Sequence, residues 1–203
     1  MWGVTVTAAP SGKVVNTSDL QKQCEIAVSD GSHDDMLDAL CVAAVDLFEQ
    51  TTNCHLLSRT ADYTVDQPPS HDCDAMYLPH YPVTAIGDLQ YVDENGASQT
   101  YTGSNLVKSL TKKPAALSLT DGSSWPVVAE QRDTLTIKNV VTGYGTSADI
   151  PQGIKQSIMM LVAHYFENRE STTPGSLNNC PMATEVIWEA YKIHAGYFKL
   201  QRS

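Results

Sequence analysis

The sequence predicts an α+β fold: a helical bundle built from N- and C-terminal helices, with an inserted antiparallel β-rich block. Three observations carry this. Residues 151–170 place Ile154, Ile158, Leu161, Val162 and Tyr165 on one apolar stripe at helical spacing. Residues 34–52 carry a second stripe, Leu37, Leu40, Ala44, Leu47, Phe48 and Thr51. Between Leu56 and Gly145 the helical period gives way to short alternating runs broken by Pro and Gly. The helical parts cover about 17–55 and 150–194, the β-rich insertion about 56–149, and a C-terminal arm 195–203, all within one domain, 1–203.

Residues 1–16, with Pro10, Ser11 and Gly12, read as a lead-in. Thr17 or Ser18 caps a short helix through Asp19, Leu20, Lys22 and Cys24. Asp30-Gly31 breaks it, and Ser32 with Asp35 forms a weak capping box for the second helix. Asp34 and Asp35 place acid at that helix's positive end, and Asn53 suits its C-cap. Strands are predicted at 59–66, 75–78, 83–92, 99–101, 115–119 and 134–141. Asp93-Glu94-Asn95-Gly96 is a hairpin turn in which Asn-Gly favours positive φ. Pro151 suits the first turn of the long helix, and Pro174-Gly175 stops it. A last helix covers about 183–194, and Ala195-Gly196 breaks it.

The bulk properties narrow the function. The chain has 203 residues, enough for one large domain that buries roughly 70% of its unfolded surface. Its 42% hydrophobic content and mean hydropathy of -0.22 are those of a globular, soluble protein. A net charge of -10 disfavours a dedicated nucleic-acid reader and suits a surface that DNA passes without sticking. No apolar run is long enough to cross a membrane, and the N-terminus lacks the pattern of a signal peptide. Five cysteines, an odd number at irregular spacing, read as reduced thiols of a cytosolic product.

No glycine-rich phosphate loop, nucleophile elbow or His-Glu-x-x-His motif is present. His164 and Glu167 lie on neighbouring turns, but no second His completes a metal motif, so the pair reads as a helix-flank interaction. Cys54-His55 and His71-Asp72-Cys73-Asp74 contain zinc-ligand types, yet the irregular spacing and the Pro-rich surroundings favour a solvated loop. A Cys–His nucleophile stays open, because such partners meet in space rather than in sequence. It would require Cys54, Cys73 and Cys180 to converge with a His. Trp125-Pro126 either stacks on a ligand or pins a loop to the sheet, and the loop is preferred. Tyr197 and Phe198 either cover the protein's own core or touch a partner. No catalytic, cofactor or metal site is assigned.

Several phrases together resemble the head–tail connector (adaptor, head-completion) proteins of tailed phages. They are Asp34-Asp35, Leu78-Pro79-x-x-Pro82-Val83, Tyr91 through Gly96, Ser124-Trp125-Pro126, Gly143-Tyr144-Gly145, and Pro151-x-x-Ile154-Lys155-Gln156 followed by Leu161 through Glu170. Their order and spacing are similar over about residues 17–192, and the sequence departs from the family at 1–16, 70–74 and beyond His194. The resemblance implies a non-enzymatic virion protein of the neck, assembled in the host cytoplasm. It implies a homo-oligomeric ring, dodecameric in the family, that sits under the portal protein, receives neck and tail completion proteins and lets DNA through its lumen. On this reading Tyr191, Tyr197, Phe198, Lys199, Leu200 and Arg202 are the partner-binding residues, toward the portal or a neighbouring subunit. Alternatives are another neck component, a stopper or tail terminator, or a small Cys/His hydrolase. The helical frame argues against the former, since such proteins are expected to be more β-dominated.

Overall fold

A computed structural model describes residues 2–71, 75–101, 105–168 and 182–193. The fold is α+β, as the sequence predicts, and the described residues divide into two units. One holds Gly12–Leu56 and Gly145–Lys192 and carries the helices; the other holds the N-terminal residues through Ser11 and Leu57–Tyr144 and carries the strands.

In the helical unit, α1 is Thr17–Gln23, α2 Asp34–Thr52, α3 Gln152–Glu167 and α4 Met182–Tyr191. Helix α2 begins and ends where its residues dictate. Asp34 and Asp35 occupy its first turn, and Asn53 closes it in the left-handed conformation with its N–H on the Glu49 carbonyl at 2.9 Å. Its entry differs from the expected Ser32 box. Asp30 accepts from the Ser32 N–H at 3.0 Å and caps a short 3-10 turn, Gly31–His33, that leads into α2. Pro151 stands just outside α3 as its N-cap, with ψ 133°, rather than within the first turn. Ahead of it, Thr146 and Asp149 form a reciprocal capping box around the 3-10 turn Ser147–Asp149. Helix α3 ends at Glu167, where the Asn168 side chain donates to the His164 carbonyl at 2.9 Å. Pro174 and Gly175, the expected stop, lie outside the described residues.

The buried faces pack α2 on α3, α4 on both, and α1 on α2 and α3. Helix α3 buries Ile154, Ser157, Ile158, Leu161 and Val162, close to the predicted stripe, with Tyr165 half-buried. Helix α2 is rotated from its prediction. It buries Leu37, Cys41, Ala44, Phe48 and Thr52, leaving Leu40 half-buried and Leu47 and Thr51 exposed. Both stripes have helical spacing, and the choice is made by what α3 and α4 offer. Phe48 meets Trp188 edge-on, ring centroids 5.5 Å apart. The Trp188 indole N–H donates to Ser157 Oγ at 2.9 Å, and that hydroxyl donates to the Ile154 carbonyl at 2.7 Å, so this polar pair is satisfied inside the core.

The β unit contains β1 Gly3–Ala8, β2 Arg59–Val65, β3 Met76–Tyr77, β4 Val83–Ala85, β5 Leu89–Val92, β6 Ser98–Tyr101, β7 Leu106–Ser109, β8 Ala116–Leu119 and β9 Leu135–Thr142. They form a six-stranded sheet, β1-β2-β9-β5-β6 with β4 also on β9, and a three-stranded sheet, β3-β8-β7; every pairing is antiparallel. Strands β1 and β7 were not expected. Residues 3–8 are a strand on β2 rather than a lead-in, and Val4-Thr5-Val6-Thr7 already has the β-branched composition of one. The predicted run 83–92 splits into β4 and β5 at Gly87, where a Cβ would stand 2.5 Å from the Lys138 carbonyl oxygen. In the β5–β6 hairpin only Gly96 has positive φ, while Asp93 Oδ1 accepts from the Asn95 and Ala97 N–H groups at 2.9 Å each. Tyr63, Met76, Leu78, Leu89, Leu117, Leu135 and Ile137 fill the core, and Trp125 packs into it, so this Trp pins its loop to the sheet.

Leu161 is fully buried. Leu161→Ala should cost about 2–5 kcal/mol in chemical denaturation; a change below about 0.5 kcal/mol would place this stripe against solvent or a partner instead. Gly143 has φ +108°, and a Cβ there would collide with the Leu57 backbone. Gly143→Ala should therefore lower the melting temperature, in contrast to Gly153→Ala in α3, where φ is not positive and the space is open.

Candidate functional site

A cavity of about 420 Å³ opens in the helical unit, at the starts of α1 and α3. Asn16, Asp19, Lys22, Ser147, Gln152 and Lys155 are among its lining. Their placement follows from two helix starts brought side by side: Asn16, rather than the expected Thr17 or Ser18, stands at the N-cap position of α1 without a side-chain capping bond, and Pro151 precedes α3. Lys22 pairs with Asp19 at 3.2 Å, one turn apart and well exposed. The lining mixes both charges with amides and a hydroxyl. It holds no nucleophile activated by a base, so it suits contact with a polar chain rather than a bond-making step. Nothing in the sequence marked this cavity, because its two halves are more than a hundred residues apart.

Two strongly shifted titratable groups lie in the β unit. Tyr63 Oη and His80 Nδ1 are 2.8 Å apart. Burial pushes Tyr63 up to about 12, outweighing the help it receives from Thr142 and Arg59. Burial, with the Arg59 charge adding to it, holds His80 down at about 4. Both groups are neutral near pH 7, a hydrogen-bonded pair inside a core rather than an acid and base poised for catalysis.

The candidates weighed from the sequence fall out as follows. His164 is half-buried, with its ring 6.2 Å from that of Tyr165 and the Asn168 amide 3.4 Å from its Nδ1, so it serves the end of α3. Cys54 and His55 are both buried, while Asp72, Cys73, Asp74 and Cys180 lie outside the described residues. Among the described residues, no group of three His, Cys, Asp or Glu side chains is placed to hold a metal ion. Cys24 and Cys41 are free thiols. Burial raises Cys41, and burial with the Glu167 charge raises Cys24, the opposite of what a nucleophile needs. Tyr191 is half-buried at the end of α4; Tyr197, Phe198, Lys199, Leu200 and Arg202 lie outside the described residues. No described helix is long and apolar enough to cross a membrane.

No protein-family profile and no curated protein matches the sequence. Solved structures do. A chain in the neck of an empty gene transfer agent (GTA) particle, computed with C6 symmetry, superposes with a TM-score of 0.74 at 17% identity, covering 95% of this chain and 96% of that one. A chain in the virion of the native GTA particle gives 0.72 at 18% identity, with 94% and 95% covered. A chain in the neck of the native GTA particle, computed with C12 symmetry, gives 0.64 at 17% identity, with 93% and 96% covered. At these identities the likeness is one of fold, and it runs through nearly the whole of both chains.

The His80 pair makes a pH prediction. An unfolded His takes a proton near pH 6.5, whereas folded His80 does so only near 4. The unfolded state therefore binds more protons between these values, and stability falls as pH drops through that window, by at most about 1.4 kcal/mol per pH unit from this group. Denaturation at pH 7 and pH 4.5 should show the loss, and His80→Gln should flatten it. An unchanged slope in the variant would remove His80 as the cause.

Proposed function

We propose that this protein is a structural, non-enzymatic component of the neck of a tailed-phage-like particle, an adaptor that forms a ring under the portal protein. The observation that carries the reading is the superposition of the chain, over 95% of its length, on a neck chain of comparable size. The C6 and C12 symmetries used for those necks support a closed ring of identical copies, which requires head-to-tail contacts. The polar two-sign cavity and the neutral Tyr63–His80 pair support an assembly part over an enzyme.

In this reading the four helices act as a bundle and the β unit as an insertion, together one connector domain over 1–203. The ring offers its outer surface to neck and tail completion proteins and its lumen to DNA. A net charge of -10 lets DNA slide past without being held. The C-terminal arm, 195–203, carries Tyr197, Phe198, Lys199, Leu200 and Arg202, and with Tyr191 it reaches the portal or the next subunit. Aromatic residues and Arg are the side chains that most often anchor interfaces.

Purified protein mixed with its own portal should give rings in negative stain, and a mixture that gives none would overturn the adaptor reading. Deleting 196–203 should leave the melting curve unchanged while weakening co-sedimentation with portal-bearing capsids. Normal attachment, or loss of folding, would remove the arm from the interface.

A further inference from the structure

The six-stranded sheet carries one row of cross-strand partners from edge to edge: Val4, Tyr63, Ile137, Leu89, Tyr101. Directly opposed residues stand on the same face of a sheet, so all five point to the side that holds the β core. The middle of the row is sealed: Tyr63 and Ile137 are fully buried and Leu89 nearly so. Its ends are not. Tyr101 is half-buried against the core cluster, and Val4 is 41% exposed. Val6, opposite fully covered Ala61, is 52% exposed. The apolar face of the sheet thus runs past its own cover at β1.

Both edges also lack the usual guards. Exposed edge strands are normally blunted by Lys or Pro, because their free N–H and C=O groups recruit other strands. Neither Gly3–Ala8 nor Ser98–Tyr101 contains a charged residue or a proline. Among the described residues β1 pairs only with β2, and β6 only with β5. Copies of a chain of net charge -10 repel one another, so contact between them is cheapest where charge is absent. These two edges are such places.

We infer that β1 of one copy pairs with β6 of the next, continuing the six-stranded sheet from subunit to subunit and laying Val4 and Val6 beside the neighbour's Tyr101. The direction of this pairing follows from the topology. Four antiparallel steps separate β1 from β6, so the two strands run the same way within one subunit. A rotation about a ring axis preserves that sense, and the joint between copies is therefore parallel. A twofold dimer would instead set β1 against β1 antiparallel. The inference rests on the ring reading and supplies it with an interface.

Thr5 and Thr100 are exposed on the opposite face from the apolar row and mark the two edges without disturbing the core. The experiment assembles full-length Thr5→Cys/Thr100→Cys protein on its portal and treats it with a short bismaleimide, beside each single variant and unaltered protein. The double variant should give a ladder of cross-linked oligomers, and the singles none beyond the unaltered background. Dimers from Thr5→Cys alone would replace the joint with a twofold contact. Rings in negative stain without a ladder would overturn the β1–β6 joint and leave the adaptor reading standing. No rings from the unaltered protein would overturn both. Independently, Val4→Lys places a charge on a half-exposed edge position and should abolish rings at an unchanged melting temperature; rings as abundant as those of the unaltered protein would overturn the proposal. Should Val4→Lys melt lower, the cross-linking result alone decides.

Discussion

Strand β9 is the constraint on which the β unit depends. It is hydrogen-bonded on both sides, to β2 along its whole length and to β5 and β4 at its two ends. A strand in this position must bury residues on its core face, yet Ile137 and Val140 are both buried although an uninterrupted alternation would set them on opposite faces. Asn139, at φ 51°, absorbs the extra residue as a bulge, where the β2–β9 register shifts. Asp62 on β2 holds the irregularity: it accepts from Lys138 Nζ at 2.8 Å and from the Asn139 N–H at 3.0 Å. Partial burial pushes the Asp62 carboxyl up, but these two donors outweigh it and keep its pKa below the ordinary value. The bulge lets one long strand turn Leu135, Ile137 and Val140 into the same core.

The helical unit meets a different requirement. Short helices are marginal alone and gain their stability from a packed face. Helix α3 supplies Ile154, Ile158, Leu161 and Val162, all fully buried, and α2 supplies Leu37, Ala44 and Phe48. The buried Ser157 hydroxyl gives the Trp188 indole a partner as α4 packs against α3, so the large aromatic is buried without orphaning its N–H. The buried Gln21 side chain donates to the Asp30 carbonyl and to Asp34 Oδ1, tying α1 to the start of α2. Lys13 and Thr17 share Asp38 in the same region, and the Asp38 pKa stays low despite the burial opposing it.

The proposed function rests on surfaces rather than on a reacting group. The strongly shifted Tyr63 and His80 are explained by burial, and the thiols of Cys24 and Cys41 are made less reactive by the same cause. Among the exposed apolar residues, Val4 and Val6 stand on an uncharged edge strand and belong to a core face that is not closed over them. The proposed head-to-tail ring would use this edge at every joint.

The sequence by itself determined the class of the fold, the ends of α2, the hairpin at Asp93–Gly96 and most of the strands. These are local matters: helical spacing, Asn at a left-handed cap, Gly where φ must be positive, and runs of β-branched residues between breakers. It also holds the phrases that resemble a connector family. Tertiary structure alone decided which of two adjacent stripes on α2 is buried. Leu40 and Leu47 are as apolar as the residues that won, and the choice fell to the positions of α3 and α4. It decided that residues 3–8 are a strand, because a strand exists only through its partner, here β2, more than fifty residues away in the chain. And it decided which valines stay uncovered, since the row from Val4 to Tyr101 is assembled from five strands spread over about a hundred residues, and only their hydrogen-bonded register places its ends at open edges.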